Sequence, residues 1–337
     1  MGRMTSTHQP AGTPPPPAGT VLVTGAHGQL GSDLVRLAGA RGSTVLALSS
    51  AELDITDPDA VRAAVERAAT LDPAAVVINA AAYTAVDAAE TDRDRAFAVN
   101  ADGPAQLAAA TAAAGLRLLH VSTDYVFPGD GTRPYATDDA TGPLGVYGAS
   151  KLAGEEAVLA GNPRGQVVRT SWVYGAHGAN FVRTMVRLAS GDGIITVVDD
   201  QRGAPTHAAD LAAGLLELAG LEGPTGSDPT RTVGRVLHGT STGETTWFEF
   251  ARTVFAAVGA DPQRVQPISS AQRPSPAARP AYSVLSDASW REAGLTPLPP
   301  WHEAFERAFA EHRVAFGASP VTTDGGVPSG PGSAERG

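Results

Sequence analysis

Tyr147 and Lys151 stand four positions apart in the run Tyr147-Gly148-Ala149-Ser150-Lys151. On a helix that spacing puts both side chains on one face. An ammonium one turn from a phenol favours phenolate and draws the hydroxyl pKa down from about 10 toward neutrality. The pair is therefore suited to giving a proton to a carbonyl under reduction. Ser122-Thr123-Asp124 ends an apolar run, and Thr123 lies 24 residues before Tyr147. Its hydroxyl can hold the same carbonyl oxygen.

A reduction needs a hydride source, and the sequence contains a place for one. Gly25-Ala26-His27-Gly28-Gln29-Leu30-Gly31 follows directly on the apolar run Thr20-Val21-Leu22-Val23. Glycines there permit a tight turn and close backbone approach to a pyrophosphate, and the N-terminus of the following helix adds N–H donors and a positive dipole end. The second strand closes in Leu48-Ser49-Ser50. A carboxylate at that point would bond the 2′-hydroxyl of NAD and repel the 2′-phosphate of NADP. Serines do not repel a phosphate, so NADPH is mildly favoured and NADH remains usable. Leu53-Asp54-Ile55-Thr56 comes next and is placed to border the adenine.

These groups need a frame that brings strand ends together. Apolar runs at 20–23, 44–48, 75–78 and 117–121 read as buried parallel strands, and they alternate with helical patterns at 30–39, 58–70 and 91–114. Such alternation predicts an α/β, doubly wound (Rossmann) parallel sheet with ligands at the carboxyl ends of its strands. Beyond residue 170 the pattern is less regular, with strands read at 194–198 and 233–238 and helices at 207–221, 244–258 and 301–315. The expected organisation is a tail over 1–18, a dinucleotide-binding domain over 19–170, completion of the sheet plus a smaller C-terminal substrate-binding lobe over 171–315, and a second tail over 316–337.

Composition narrows the function classes. Of 337 residues, 42% are apolar, enough for a large core, and the formal net charge of −10 argues against a general nucleic-acid or anionic-membrane binder. The absence of cysteine excludes disulfides, thiolate metal sites and a cysteine nucleophile. No run of about 18 apolar residues is present, and the first residues lack the apolar stretch of a signal peptide. The expectation is a cytoplasmic enzyme.

Five segments, in order, carry a family resemblance: Asn79-Ala80-Ala81-Ala82-Tyr83-Thr84-Ala85-Val86-Asp87, Ser122-Thr123-Asp124-Tyr125-Val126-Phe127, Tyr147-Gly148-Ala149-Ser150-Lys151, Arg169-Thr170-Ser171-Trp172-Val173-Tyr174, and Asp200-Gln201-Arg202-Gly203-Ala204-Pro205-Thr206. Together they resemble the dTDP-4-dehydrorhamnose reductase family of extended short-chain dehydrogenase/reductases, over residues of about 20 to 315. The resemblance implies NAD(P)H-dependent reduction of the C4 keto group of dTDP-4-dehydro-L-rhamnose, a step of dTDP-L-rhamnose synthesis. It makes Tyr147 the proton donor, Lys151 the group that orients the nicotinamide ribose, and Thr123 and Asp124 contacts of the substrate near its keto group. It assigns Gly28, Gln29 and Leu30 to the pyrophosphate, Asp54 and Ile55 to the adenosine side, and Ala82, Tyr83 and Thr84 to the cofactor lining. Trp172 matches an aromatic beside the sugar, and Asn100 a structural asparagine. A homodimer is compatible with this reading.

Two features depart from the family pattern. Arg279-Pro280-Ala281-Tyr282-Ser283 has Tyr where an Asn is usual. Mg²⁺, bound by carboxylates in some members, is not supported, because Ala209 takes the place of one such carboxylate with Asp210 beside it. Arg279 itself, in a proline-stiffened loop, is read as a ligand of the substrate's diphosphate. Four other readings share parts of this pattern. A 4,6-dehydratase would carry Glu after Asp124, where this chain has Tyr125. A 4-ketoreductase for another 6-deoxy sugar uses the same residues, and so would a C4 epimerase use Tyr147. A non-catalytic regulatory subunit of the same fold would not need both Tyr147 and Lys151.

Overall fold

The computed structural model describes residues 19–221 and 232–318. The tail read over 1–18 and most of the one read over 316–337 lie outside the described residues.

Six strands form one parallel sheet: β1 (Thr20–Thr24), β2 (Thr44–Leu48), β3 (Val76–Asn79), β4 (Arg117–Thr123), β5 (Gly165–Thr170) and β6 (Val236–His238), in the order β6-β5-β4-β3-β1-β2. β1, β3 and β5 are buried along their whole length, as strands covered on both faces must be. On one face lie α1 (Gln29–Ala40) and α6 (Ala208–Leu218), which pack Leu30, Leu34 and Ala38 with Leu211, Leu215 and Leu216. On the other lie α2 (Pro58–Leu71), α3 (Gly103–Ala113) and α4 (Val146–Gly161), contributing Val61, Val65, Leu107 and Val158. A separate apolar cluster holds the C-terminal lobe together. There α5 (Phe181–Ala189), α7 (Trp247–Val258) and α8 (Trp301–His312) gather Val182, Phe250, Phe255, Phe305 and Phe309 around Tyr174.

Strand order reverses beside β1, because β2 lies on one side of it and β3 on the other. The crevice outside the carboxyl ends at such a switch point is where doubly wound sheets bind ligands. Gly25 and residues 80–85 both leave the sheet there.

The structure departs from the sequence reading in three places. The helix expected over 91–114 is broken into Arg93–Phe97, a π-turn at Ala98–Asp102, and α3. The wider π-turn points Asn100 inward, and π-turns recur at functional sites for that reason. The strand expected at 233–238 is confined to Val236–His238. The tail expected from 316 begins later, because Phe316 is 1% exposed and stacks on Phe309 with ring centroids 5.8 Å apart. One aromatic among small residues anchors the chain, a contact that composition does not reveal.

Candidate active site

Gly25 ends β1 with φ +67°, and a side chain there would bring Cβ to 2.7 Å from the Ala81 backbone nitrogen. Only glycine fits that close approach. Gly28 is the N-cap of α1 and offers no side-chain cap, so the first N–H groups of Gln29 and Leu30 are not claimed by a capping side chain. A cradle of bare backbone at a helix N-terminus suits a diphosphate. Gly31 lets the helix rest on the turn, since its Cβ would fall against the Gly25 carbonyl.

Past β2 the structure reveals a residue the sequence reading missed. The Glu52 carboxylate accepts from Ser49 N (2.9 Å) and Ser49 Oγ (2.7 Å), and these bonds hold its pKa below the usual value. Ser49 therefore does not present a free hydroxyl, and a carboxylate does stand at the end of β2, supplied by a turn three residues on. The expected adenosine-side pair divides in role. Asp54 is exposed, and its Oδ1 accepts from Thr56 N and Oγ1 at 2.9 and 2.8 Å. Ile55 is 4% exposed and packs its side chain into the core beside Gly103.

Residues 80–85 run irregularly along the crevice. Asn100 grips them: its Oδ1 accepts from Tyr83 N (2.8 Å), and its Nδ2 donates to Tyr83 O (3.0 Å) and to Ser150 Oγ of α4 (3.0 Å). Asn100 thus ties the Ala82-Tyr83-Thr84 segment to the helix that carries Tyr147 and Lys151. Its partner helix can come this close because residue 154 is glycine, whose added Cβ would collide with the Asn100 carbonyl.

Tyr147 sits in the first turn of α4 and Lys151 one turn on, as the spacing predicts. Thr123 ends β4, with Asp124 just beyond it, and both are buried. Burial pushes the Tyr147 hydroxyl up to about 12, a hydrogen bond with Thr123 opposing and the Asp124 charge adding. The sequence reading, in which Lys151 draws that pKa toward neutrality, is not what the structure shows. Lys151 Nζ instead donates to Val121 O (2.7 Å) and lies 3.3 Å from His120 Nε2. Its own pKa is lowered to about 8 by burial, with Glu155 acting the other way. Tyr147 consequently stays loaded with its proton, the form a donor needs. Asp124 is raised to about 6, again by burial. Its Oδ1 accepts from Thr123 Oγ1 at 3.0 Å, while Oδ2 has no hydrogen-bond partner among the described residues.

Trp172 is the lone non-glycine residue with positive φ among the described residues, at +46°. That conformation is strained for a bulky residue and needs over-determination by its surroundings. Two contacts supply it. The indole stacks on Trp247 with centroids 3.6 Å apart, and it lies against Gly203, where a Cβ would sit 2.4 Å from the ring. Trp172 is half-buried, so the ring belongs to the cleft wall and not to the core. Opposite, Tyr125 packs edge-on against Tyr147 at 5.7 Å, and Arg279 pairs with Asp87 at 2.9 Å. Asp210, which follows Ala209, accepts from Arg307 at 2.6 Å and lies 3.5 Å from His207 Nδ1.

The arrangement brings the Thr123 hydroxyl and the Tyr147 phenol together at the carboxyl end of β4, on the sheet edge from which the glycine turn also leaves. A profile of the RmlD substrate binding domain matches residues 19–314. The chain belongs to the RmlD family. It is 50% identical over 313 residues to a dTDP-4-dehydrorhamnose reductase of Mycolicibacterium smegmatis, covering 92% of this chain and 89% of that one. A protein of the same name from Mycobacterium tuberculosis is 52% identical over 295 residues, covering 86% and 92%. Among solved RmlD-family structures, that of a Bacillus anthracis dTDP-4-dehydrorhamnose reductase in complex with NADP superposes with TM-score 0.78 at 37% identity, covering 87% of this chain and 99% of that one.

Proposed function

We propose that this protein reduces the C4 keto group of dTDP-4-dehydro-L-rhamnose to dTDP-L-rhamnose with NADPH. The observation that carries the reading is the convergence of Thr123, Tyr147 and Lys151 at the strand ends beside the Gly25–Gly31 turn, in a chain half identical to reductases of that name.

When bound, NADPH supplies the hydride. The turn at Gly28, with the backbone N–H groups of Gln29 and Leu30, would hold its diphosphate, Lys151 its nicotinamide ribose, and residues 82–84 would line it. Asp54 and Ile55 border the adenosine, Ile55 through its backbone. Thr123 turns its O–H from Asp124 to the C4 oxygen, and Tyr147 donates to the same oxygen as negative charge grows there. Tyr147 then transfers its proton. The free oxygen of Asp124 accepts from a sugar hydroxyl, Trp172 stands beside the sugar, and Arg279 takes the substrate diphosphate. No helix among the described residues is long and apolar enough to cross a membrane, and the reading places the reaction in the cytoplasm.

The test is NADPH consumption with dTDP-4-dehydro-L-rhamnose, with the product's C4 configuration read by NMR. Formation of dTDP-L-rhamnose supports the assignment. Turnover confined to another dTDP-4-keto-6-deoxy sugar would transfer the assignment to that substrate.

A further inference from the structure

Behind Lys151 runs a line of buried polar side chains that the steps above do not use. Thr24 Oγ1 donates to Asn79 Oδ1 (2.6 Å), Asn79 Nδ2 meets His120 Nδ1 (2.9 Å), and His120 Nε2 faces Lys151 Nζ (3.3 Å). The four come from β1, β3, β4 and α4, and none is more than 2% exposed.

The directions of these bonds can be assigned from one end. The Ala81 backbone N–H donates to Asn79 Oδ1 at 3.1 Å. A backbone N–H cannot accept, so the Asn79 amide is oriented with its NH₂ toward His120. His120 Nδ1 must then be the acceptor. Burial holds the imidazole neutral, well below its ordinary pKa, and the Lys151 charge adds to this. A neutral ring that accepts at Nδ1 carries its proton on Nε2. That N–H points at Lys151.

An ammonium has donors only, so Nε2–H and Lys151–NH₃⁺ oppose each other. The contact becomes a hydrogen bond when Lys151 is the neutral amine. The valences then close: the lone pair accepts from His120, one N–H goes to Val121 O (2.7 Å), and the second is left for the active site. Glu155 of its own helix also acts on Lys151 and is paired with Arg169 of β5 at 2.7 Å, while Tyr147 lies one turn before Lys151 on that helix.

We propose that His120, locked by Asn79 in its Nε2–H tautomer, is a positioning residue that stabilises the neutral amine of Lys151 and so makes Lys151 the donor that reloads Tyr147. The inference rests on Tyr147 being the acid. Tyr147 loses its O–H proton to the C4 oxygen. The phenolate oxygen forms a new O–H bond with a proton from Lys151–NH₃⁺, whose N–H bond breaks. The amine lone pair turns to His120, and Lys151 regains a proton from water after product leaves.

Two measurements test this. Nitrogen NMR of the unliganded protein should show His120 with Nδ1 bare and Nε2 protonated, independent of any activity. The steady-state kcat, which requires Tyr147 to be reloaded in every cycle, should fall as pH rises through the Lys151 pKa of about 8. Asn79→Asp accepts from Nδ1–H, reverses the tautomer, and should move that limb upward by roughly one pH unit or more, with KM for NADPH within about threefold of wild type. In a His120→Gln background, which keeps a donor near Lys151, Asn79→Asp should shift the limb by less than about a third as much. An Nδ1–H tautomer, an unmoved limb, or an equal shift without the imidazole would overturn the proposal. Inactivity of wild type toward 4-keto sugars would instead strike the functional reading and leave the NMR result standing.

Discussion

The Arg279 guanidinium lies 2.9 Å from the Asp87 carboxylate, joining residues 192 positions apart in the chain. Asp87 also accepts from Ala277 N at 3.3 Å, so one carboxylate holds the 277–280 loop against the short helix Val86–Ala89. The pair is half-exposed and borders a recess lined by Tyr125 and Tyr147. A substrate diphosphate reaching Arg279 competes with Asp87. Arg279→Ala should raise KM for the sugar nucleotide about 10- to 150-fold, the equivalent of a charge-assisted bond. Asp87→Asn should lower that KM severalfold by freeing the guanidinium. Steady-state kinetics with both substrates decides it, and the KM for NADPH should hardly move in either variant.

Tyr147→Phe keeps the edge-on contact with Tyr125 and removes the proton. The expected loss in kcat is about 10²- to 10⁴-fold, the usual contribution of a placed acid. Circular dichroism should show an intact fold. A kcat near wild type would remove Tyr147 from the acid role.

Asp124 has a folded pKa of about 6 against an unfolded value of 3.8. The unfolded chain therefore gives up the proton first, and the residue costs stability increasingly as pH rises from about 4 to 6, with the full penalty above. Asp124→Asn should stabilise the fold at pH 8 by up to roughly 3 kcal/mol and give no gain near pH 4. The same change should lower kcat/KM by removing an acceptor for the sugar. Denaturant unfolding at the two pH values reads the first effect. A gain of equal size at both would refute the linkage.

Glu52 places a negative charge beside Ser49. Glu52→Gln should raise kcat/KM for NADPH relative to NADH by roughly tenfold, since repulsion of the 2′-phosphate is relieved. An unchanged ratio would mean that the carboxylate lies away from the bound ribose.

Gly203→Ala would put Cβ against the Trp172 indole, whose other face is already covered by Trp247. The ring must leave its place. KM for the sugar nucleotide should rise while cofactor binding, measured by fluorescence titration with NADPH, stays the same.

The sequence by itself determined the layered sheet, because period and apolar content along the strands are local properties that only one architecture satisfies. It likewise determined the Tyr147–Lys151 face and the glycine turn, whose geometry follows from spacing of four residues and from missing side chains. What surrounds those groups was decided by tertiary structure. The acid strength of Tyr147 depends on its burial and on Thr123 and Asp124, which a different element brings to it. The charge beside Ser49 depends on a turn folding Glu52 back onto it, and Arg279 finds Asp87 only when the two lobes close. Burial and cross-strand hydrogen bonds act through space between residues far apart in the chain, and pattern along one dimension carries no record of them.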